Sequence, residues 1–349
     1  MGLGANLIRT SLLVWYEKER RDLPWRTYPS HHSNPYHVWL SEMMLQQTTV
    51  ATVIPYFNRF IQQYPTINAL ARAQESEVLT LWQGLGYYSR GRNLLKAAHI
   101  LAQEGFKRTP KELEALPGVG PYTAAAIASM AFSYPVVPVD GNIIRIVSRL
   151  FRINQEKDKL KTTLAPYLKP FEEESHSGDF AQSLMDLGAQ ICKPIPLCHL
   201  CPISSFCEAY KHEDAIQFPR KPPRKEKPTR HGKMYVVFDE EGQILFEKRP
   251  QKGLFAGMLG LPGQGWESWD SPLIPKDVTF VELSTQVHHT FTHFHLRIRV
   301  YVGKAKARPT EEGVWILPEN VNLHPLPTLI KKVLKLVSDS LNIVVVVQI

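Results

Sequence analysis

The sequence predicts two domains, an all-α one followed by a smaller α+β one, and three observations predict them. From Leu7 to about Lys211, apolar residues recur at spacings of three and four, the period of helices that bury one face. Around Gln217 to Arg230 the composition changes to a basic, proline-rich run, Phe218-Pro219-Arg220-Lys221-Pro222-Pro223-Arg224-Lys225-Glu226-Lys227-Pro228, which reads as an extended, semi-rigid linker. Beyond it, apolar residues alternate in Tyr235-Val236-Val237-Phe238, in Ile244-Leu245-Phe246 and over 294–300, the period of strands. A chain of 349 residues can bury a separate core in each part. The all-α domain is placed at 1–212, the linker at 213–231 and the second domain at 232–349.

Taken in order, Leu12, Leu13 and Tyr16 mark an opening amphipathic helix, and Pro24-Trp25-Arg26 and Asn34-Pro35-Tyr36 punctuate a loop. Residues 38–48 read as a helix capped near Ser41. It carries Glu42 among Trp39, Leu40, Met43 and Met44, surroundings apolar enough to raise a carboxyl pKa and keep its proton near neutral pH. The plainer reading of Glu42 is an acid in a first helical turn that complements the dipole. Further helices are predicted over 50–64, 67–73, 77–83, 92–104, 111–116, 122–131 and 143–151, with a late one over 328–337. The apolar run 343–347 reads as a terminal strand.

Net charge is +8, which suits a polyanionic partner. No segment approaches the 18 or so consecutive apolar residues of a membrane span, and the N-terminus lacks the apolar core of a signal peptide, so a cytoplasmic protein is expected. The four cysteines all lie between Cys192 and Cys207, as Cys192-x5-Cys198-x2-Cys201-x5-Cys207, a clustering that argues for a metal rather than disulfides. Four thiolates this close suit a [4Fe–4S] cluster, with zinc as the alternative.

The stretch Leu116-Pro117-Gly118-Val119-Gly120-Pro121-Tyr122 leads into an Ala-rich run and then Val137-Pro138-Val139-Asp140-Gly141-Asn142. Gly118 and Gly120 permit a tight turn and close approach of a ligand, and a turn feeding a helix N-terminus suits a phosphate. A plain helix–turn–helix corner is the bland alternative, and Asp140 can equally be the N-cap of a helix starting at Ile143.

This pairing of hairpin and acid resembles the helix-hairpin-helix, Gly/Pro, Asp signature of base-excision DNA glycosylases. Ser41-Glu42-Met43-Met44-Leu45-Gln46-Gln47-Thr48, Leu85-Gly86-Tyr87-Tyr88-Ser89-Arg90 and Val139-Asp140-Gly141-Asn142 resemble the adenine-specific mismatch glycosylases, the MutY family, over most of residues 20–210. The resemblance implies that Glu42 protonates N7 of a flipped adenine and then activates water, while Asp140 stays ionised and stabilises the charge growing on the deoxyribose, the two-carboxylate logic of glycoside hydrolysis. It implies that Tyr122 hydrogen-bonds in the site and Asn142 positions the reacting groups. Gln47 and Tyr87 would insert into the DNA stack, although by themselves they read as helix-surface and core residues. Trp25 and Arg26 match the loop near the adenine pocket. Family members usually have six residues in the first cysteine gap, where this chain has five, stiffened by Pro194 and Pro196.

The second domain looks like the MutT-like, Nudix-fold domain of this family. After Gly263 the chain reads Gln264-Gly265-Trp266-Glu267-Ser268-Trp269-Asp270, without the acidic helix that would bind Mg²⁺, so binding rather than hydrolysis is expected. His289-Thr290-Phe291-Thr292-His293-Phe294-His295 resembles the family loop that reads 8-oxoguanine, with Phe291 as wedge and Thr292 and His293 on the base; threonine replaces the usual serine. Read as a strand, Thr292, Phe294, Leu296, Ile298 and Val300 would share one face and leave His293, His295, Arg297 and Arg299 solvated. The expectation is a monomeric, bacterial, monofunctional adenine glycosylase, nucleoid-associated when on DNA, acting on duplex DNA with A:8-oxoguanine or A:G mismatches. Its rivals are a bifunctional endonuclease III-like lyase, disfavoured because Tyr122 stands where those relatives carry lysine; a nucleotide pyrophosphohydrolase, disfavoured by the missing acidic helix; and a lesion-binding protein without catalysis, disfavoured by Glu42 and Asp140 together.

Overall fold

The computed structural model describes residues 2–30, 33–156, 160, 163–220, 226–250, 253–266, 270–306, 308 and 312–341. Its contacts divide the chain into one unit of Met1–Ala73 with Arg92–Arg224 and another of Gln74–Gly91 with Lys225–Ile349.

The first unit is helical. Its helices are α1 (Gly2–Glu19), α2 (Pro35–Leu45), α3 (Val50–Gln63) and α4 (Ile67–Ala71), then most of α6 (Tyr88–Glu104), α7 (Pro110–Leu113), α8 (Pro121–Phe132), α9 (Gly141–Leu150), α10 (Ala165–Leu168), α11 (Ser177–Gln190) and α12 (Glu208–Lys211). Side-chain caps fix several of the starts. Thr49, Thr66 and Asp140 accept backbone N–H groups with their side chains, and Thr109 forms a capping box with Glu112. The predicted cap at Ser41 is corrected. α2 begins at Pro35, and Asn34 accepts the Tyr36 N–H at 2.9 Å, a proline in the first turn beside an Asx cap being the stronger start signal. Ser41 lies inside the helix, fully buried, and donates to the Val38 carbonyl at 2.8 Å. Glu42 is therefore in the third turn and not the first.

Nine residues of α8, from Thr123 to Ala131, are buried, and α2, α7 and α11 pack against it. Small side chains allow this closeness: a Cβ on Gly178 of α11 would come within 2.8 Å of the Ser129 carbonyl. Ile8 and Leu12 of α1 pack with Ile143, Ile144 and Val147 of α9 and with Phe180, Leu184 and Leu187 of α11.

The second unit includes α5 (Glu75–Trp82) from the early segment, together with strands β1 (Thr229–Phe238), β2 (Ile244–Lys248), β3 (Leu259–Gly260), β4 (Gly263–Gln264), β5 (Val281–Glu282), β6 (Val287–Thr290), β7 (His295–Lys304) and β8 (Val314–Ile316), and helix α13 (Thr328–Leu341). The sheet runs β3-β2-β1-β7-β5, with β4 beside β1, β6 beside β7 and β8 beside β2; β1 and β7 are parallel. One face, with Met234, Val236, Phe246, Ile298 and Val300, is covered by Leu329, Ile330, Val333 and Val337 of α13. Part of the other face, around Tyr235, Val237 and Leu245, lies under Leu273, Val278 and Phe280.

The strand predicted from Phe294 starts one residue later, and Thr292 is not on its face. Phe291 N–H bonds the Phe294 carbonyl at 2.9 Å, closing a turn over 291–294 that leaves Thr292 and His293 exposed. No helix occurs in the described part of 264–280. The linker residues 221–225, residues 267–269 and the predicted strand at 343–347 lie outside the described residues.

Candidate active site

The hydrophobic face that seats α2 against α8 also removes Glu42 from water. It is 4% exposed, and its Oε2 has no hydrogen-bond partner. Burial chiefly, and then the charge of Asp140, push its pKa up to about 8; Arg26 and a hydrogen bond from Tyr122 act the other way. A carboxyl in this state holds its proton at neutral pH and can donate it. Burial and the two neighbouring carboxylates raise the Tyr122 hydroxyl well above its usual value, so it remains a neutral donor.

Asp140 is held as an acceptor. It is the N-cap of α9, its Oδ1 accepting the N–H groups of Asn142 and Ile143 at 2.8 Å each and its Oδ2 the Asn142 side-chain amide at 3.1 Å. These bonds hold both of its oxygens in place at the start of α9. Asn142 is itself fixed by Arg145, whose Nη2 donates to its Oδ1 and to the Gly188 carbonyl at 2.8 Å each. Gly188 leaves room for this: a Cβ there would stand 2.6 Å from the Asn142 Cβ. A buried acid that holds its proton and the capping side chain of Asp140 therefore lie close enough to interact.

Arg26 belongs with them. Asp186 of α11, with a fully buried side chain, takes Arg26 Nη1 at 2.8 Å on Oδ2 and Arg21 Nε at 2.7 Å on Oδ1. Sequence reading missed Arg21, Asp186, Arg145 and Arg149. The spacing of four between Arg145 and Arg149 on the helix after Asp140 was an available signal; Asp186 had none short of its burial. Trp25 is buried and packs edge-to-face on Phe57.

Gly118 has φ +80° and is exposed, and its carbonyl accepts Gln46 Nε2 at 3.0 Å, tying the hairpin to the end of α2. A Cβ there would meet Asn93 and Met43 at 2.9 Å. Gly120 is the N-cap of α8 and is likewise exposed. Gln47 and Tyr87 are both exposed with left-handed backbone, φ 57° and 47°, conformations that cost side-chain-bearing residues about 1 kcal/mol or more and gather at functional sites. In the second unit the Tyr87 hydroxyl pairs with Thr292 Oγ1 at 2.9 Å. Phe291 is half-buried, stacked on Phe294 with ring centres 4.7 Å apart, and Lys227 Nζ donates to its carbonyl at 3.1 Å.

Cys192, Cys198, Cys201 and Cys207 line one cavity with Ile146, Arg149, Leu187 and Ile203. Arg149 is the organiser of this loop. Its Nη1 lies 3.3 Å from Cys192 Sγ and donates to the Lys193 carbonyl at 2.6 Å, its Nη2 to Pro194 at 2.9 Å and its Nε to Phe218 at 3.1 Å. Burial pushes the Cys201 thiol up to about 12. Among the described residues, no three His, Cys, Asp or Glu side chains converge to hold a single metal ion. Also among them, no helix is long and apolar enough to cross a membrane.

Residues 40–170 match the model of the HhH-GPD superfamily of base excision DNA repair proteins, and 233–336 match the NUDIX domain. The chain is 33% identical to the adenine DNA glycosylase of Rattus norvegicus, over 95% of this chain and 78% of that one. It is 32% identical to the adenine DNA glycosylase of Buchnera aphidicola subsp. Schizaphis graminum, over 93% and 97%. A solved thermostable thymine-DNA glycosylase superposes on 60% of this chain and 98% of its own, with TM-score 0.53 and 26% identity. With a buried acid, a capped carboxylate and a glycine hairpin on a helical unit followed by a NUDIX-like sheet, the chain belongs to the adenine DNA glycosylase family, enzymes that cleave N-glycosyl bonds of DNA.

Proposed function

We propose that the enzyme removes adenine mispaired with 8-oxoguanine or guanine, using Glu42 as general acid and Asp140 as the stabiliser of the sugar cation, and leaves the strand intact. The buried Glu42, its pKa pushed up to about 8, beside the N-cap carboxyl group of Asp140 is the observation that carries this reading. Glu42 gives its proton to N7 of the extruded adenine, so the base leaves neutral. The glycosidic electron pair departs with the base, and positive charge on C1′ and the ring oxygen is met by Asp140. Glu42, now a carboxylate, takes a proton from the attacking water, which regenerates the acid and leaves an abasic site. Tyr122 donates to Glu42 and steadies it; as a phenol it cannot form the Schiff base that strand cleavage by a lyase requires. Asn142 and Arg26 position the two carboxylates, and Trp25 walls the adenine side. Gly118 and Gly120 offer the hairpin backbone to a phosphate, Gln47 and Tyr87 fill the emptied stack, and Phe291, Thr292 and His293 read the opposite base.

The cysteines suit a [4Fe–4S] cluster held by Cys192, Cys198, Cys201 and Cys207. Four thiols surround one cavity, and the Arg149 guanidinium lies 3.3 Å from Cys192 Sγ. Bound there, the cluster supplies a rigid cross-link for the loop. We place the enzyme as a monomer on chromosomal DNA in the cytoplasm.

The test is single-turnover excision on duplexes with adenine opposite 8-oxoguanine, guanine or thymine. Alkali-labile sites opposite the first two alone support the reading. Nicking without alkali would restore the lyase, and tight binding without base release would make the protein a lesion sensor.

A further inference from the structure

The β-sheet of the second unit has a face that is apolar at one end and basic at the other. On β1 the residues of this face run Thr229, His231, Lys233, Tyr235, Val237, and on β7 His295, Arg297, Arg299, Tyr301. Register aligns them in rows: Thr290–His295–Thr229, His288–Arg297–His231, and Arg299–Lys233–Gln264. Successive rows lie about 7 Å apart, two residues along a strand. Tyr235, Val237 and Tyr301 are packed with Val278 and Phe280, whereas Thr229, His231, Lys233, His288, Thr290, His295, Arg297 and Arg299 are exposed. The opposite face of the same strands is apolar over Met234, Val236, Leu296, Ile298 and Val300, with Arg230 at its edge over the Phe294 ring.

Its charge is little compensated. Among the described residues, Arg297 and Lys233 have no ion pair, and Arg299 has a loose one, its Nε 3.9 Å from Glu282 Oε1. Such pairs at exposed sites contribute little. The imidazoles add hydrogen-bond donors between the cations. At its end the face runs into the turn over 291–294, flanked by Thr290 and His295.

We propose that this bare half of the sheet is a second grip on duplex DNA, binding the sugar-phosphate backbone without regard to sequence, through Lys233, Arg297 and Arg299 with histidine donors between them. It rests on the reading of the 291–294 turn as the part that meets the base opposite adenine, because a strand seated on that turn continues over the rows beside it. Backbone contacts hold register while base contacts select, and each cation placed on a phosphate releases a counterion.

The experiment measures affinity of the full chain for a duplex in which 2′-fluoro-2′-deoxyadenosine, whose fluorine disfavours the sugar cation, stands opposite 8-oxoguanine. Anisotropy titrations over about 0.05 to 0.2 M salt compare the wild type with the combined Lys233→Gln, Arg297→Gln, Arg299→Gln variant. The slope of log affinity against log salt should become shallower by about 2 to 3, and affinity near 0.1 M salt should fall on the order of a hundredfold. The melting temperature should stay as in the wild type. A single Arg297→Glu variant should weaken binding to random duplex and mismatched duplex alike. An unchanged slope in the folded triple variant overturns the proposal and leaves the face to a partner such as an acidic protein. Failure of the wild type to excise adenine, with the slope still reduced, would sink the catalytic reading and not this one.

Discussion

Glu42 keeps its proton because α2 buries it beside Asp140, and that same burial costs the fold. The ordinary carboxyl value is 4.5 and the folded one about 8, so the native state binds the proton more tightly than the unfolded chain does. The group's contribution to stability is fully present below pH 4.5 and is lost as pH rises through 8, a total on the order of 5 kcal/mol at 1.36 kcal/mol per pKa unit. Glu42→Gln should therefore melt higher than the wild type above pH 8, and the difference should vanish near pH 4.5. Its excision rate should fall by about a thousandfold or more while duplex binding persists. Wild-type excision itself should decline above pH 8 as Glu42 ionises. Single-turnover rates and melting curves across pH 5 to 9 check both halves; wild-type-like excision by the variant would remove Glu42 from the mechanism. The burial of Glu42 and the capping by Asp140 were legible in the sequence, since apolar neighbours mark the one and the N-cap position before a helix marks the other. The hold on Arg26 was not: Asp186 lies 160 residues away on another helix, and only the fold brings them together.

Elements carry the precision these residues need. α9 places Asp140 through its cap, and α11 approaches Asn142 so closely that only glycine fits at 188. Gly188→Ala should displace Asn142 and disturb the cap beside it, costing about 1 to 3 kcal/mol of stability as overpacking. It should also lower single-turnover excision about tenfold or more, because Asp140 shares two bonds with Asn142. A variant with normal rate and stability would show that the helix can yield. Arg149 does comparable service at the cysteines. Arg149→Ala would leave the carbonyls of Lys193, Pro194 and Phe218 without this partner, a loss of several kcal/mol, and should give protein deficient in iron and acid-labile sulfide. Full cluster content in that variant would mean that the loop holds itself. Helices were legible because their caps and apolar periods are local, and the error at Ser41 arose from reading Asn34-Pro35 as loop punctuation when it is the helix start. Strands β3 to β6 are two to four residues long, set by pairing with β1, β2 and β7, and so leave too short an alternation to read.

On the proposed reading, chemistry and base recognition fall on different units of the molecule. Glu42, Asp140, Tyr122 and Arg26 belong to the helical unit; Thr292, His293 and the basic sheet face belong to the other, with the early segment that carries Tyr87. Substitutions should then separate into two kinds. Glu42→Gln should abolish excision yet keep the affinity ratio between duplexes with 8-oxoguanine and with guanine opposite adenine. Thr292→Ala should do the reverse. Its hydroxyl, 2.9 Å from that of Tyr87, is a hydrogen-bonding group at the tip of the turn. Losing one such hydrogen bond, about 1 kcal/mol net, should shrink the preference for 8-oxoguanine roughly fivefold and leave the A:G rate at saturating enzyme unaltered. Thr292→Ser, which keeps the hydroxyl, should restore it. Competition binding and single-turnover rates on the two duplexes measure each axis. A Thr292→Ala variant that slows A:G excision would join the turn to the chemistry itself, and an unchanged preference would move the reading of 8-oxoguanine to another residue of the turn, with His293 next to be changed.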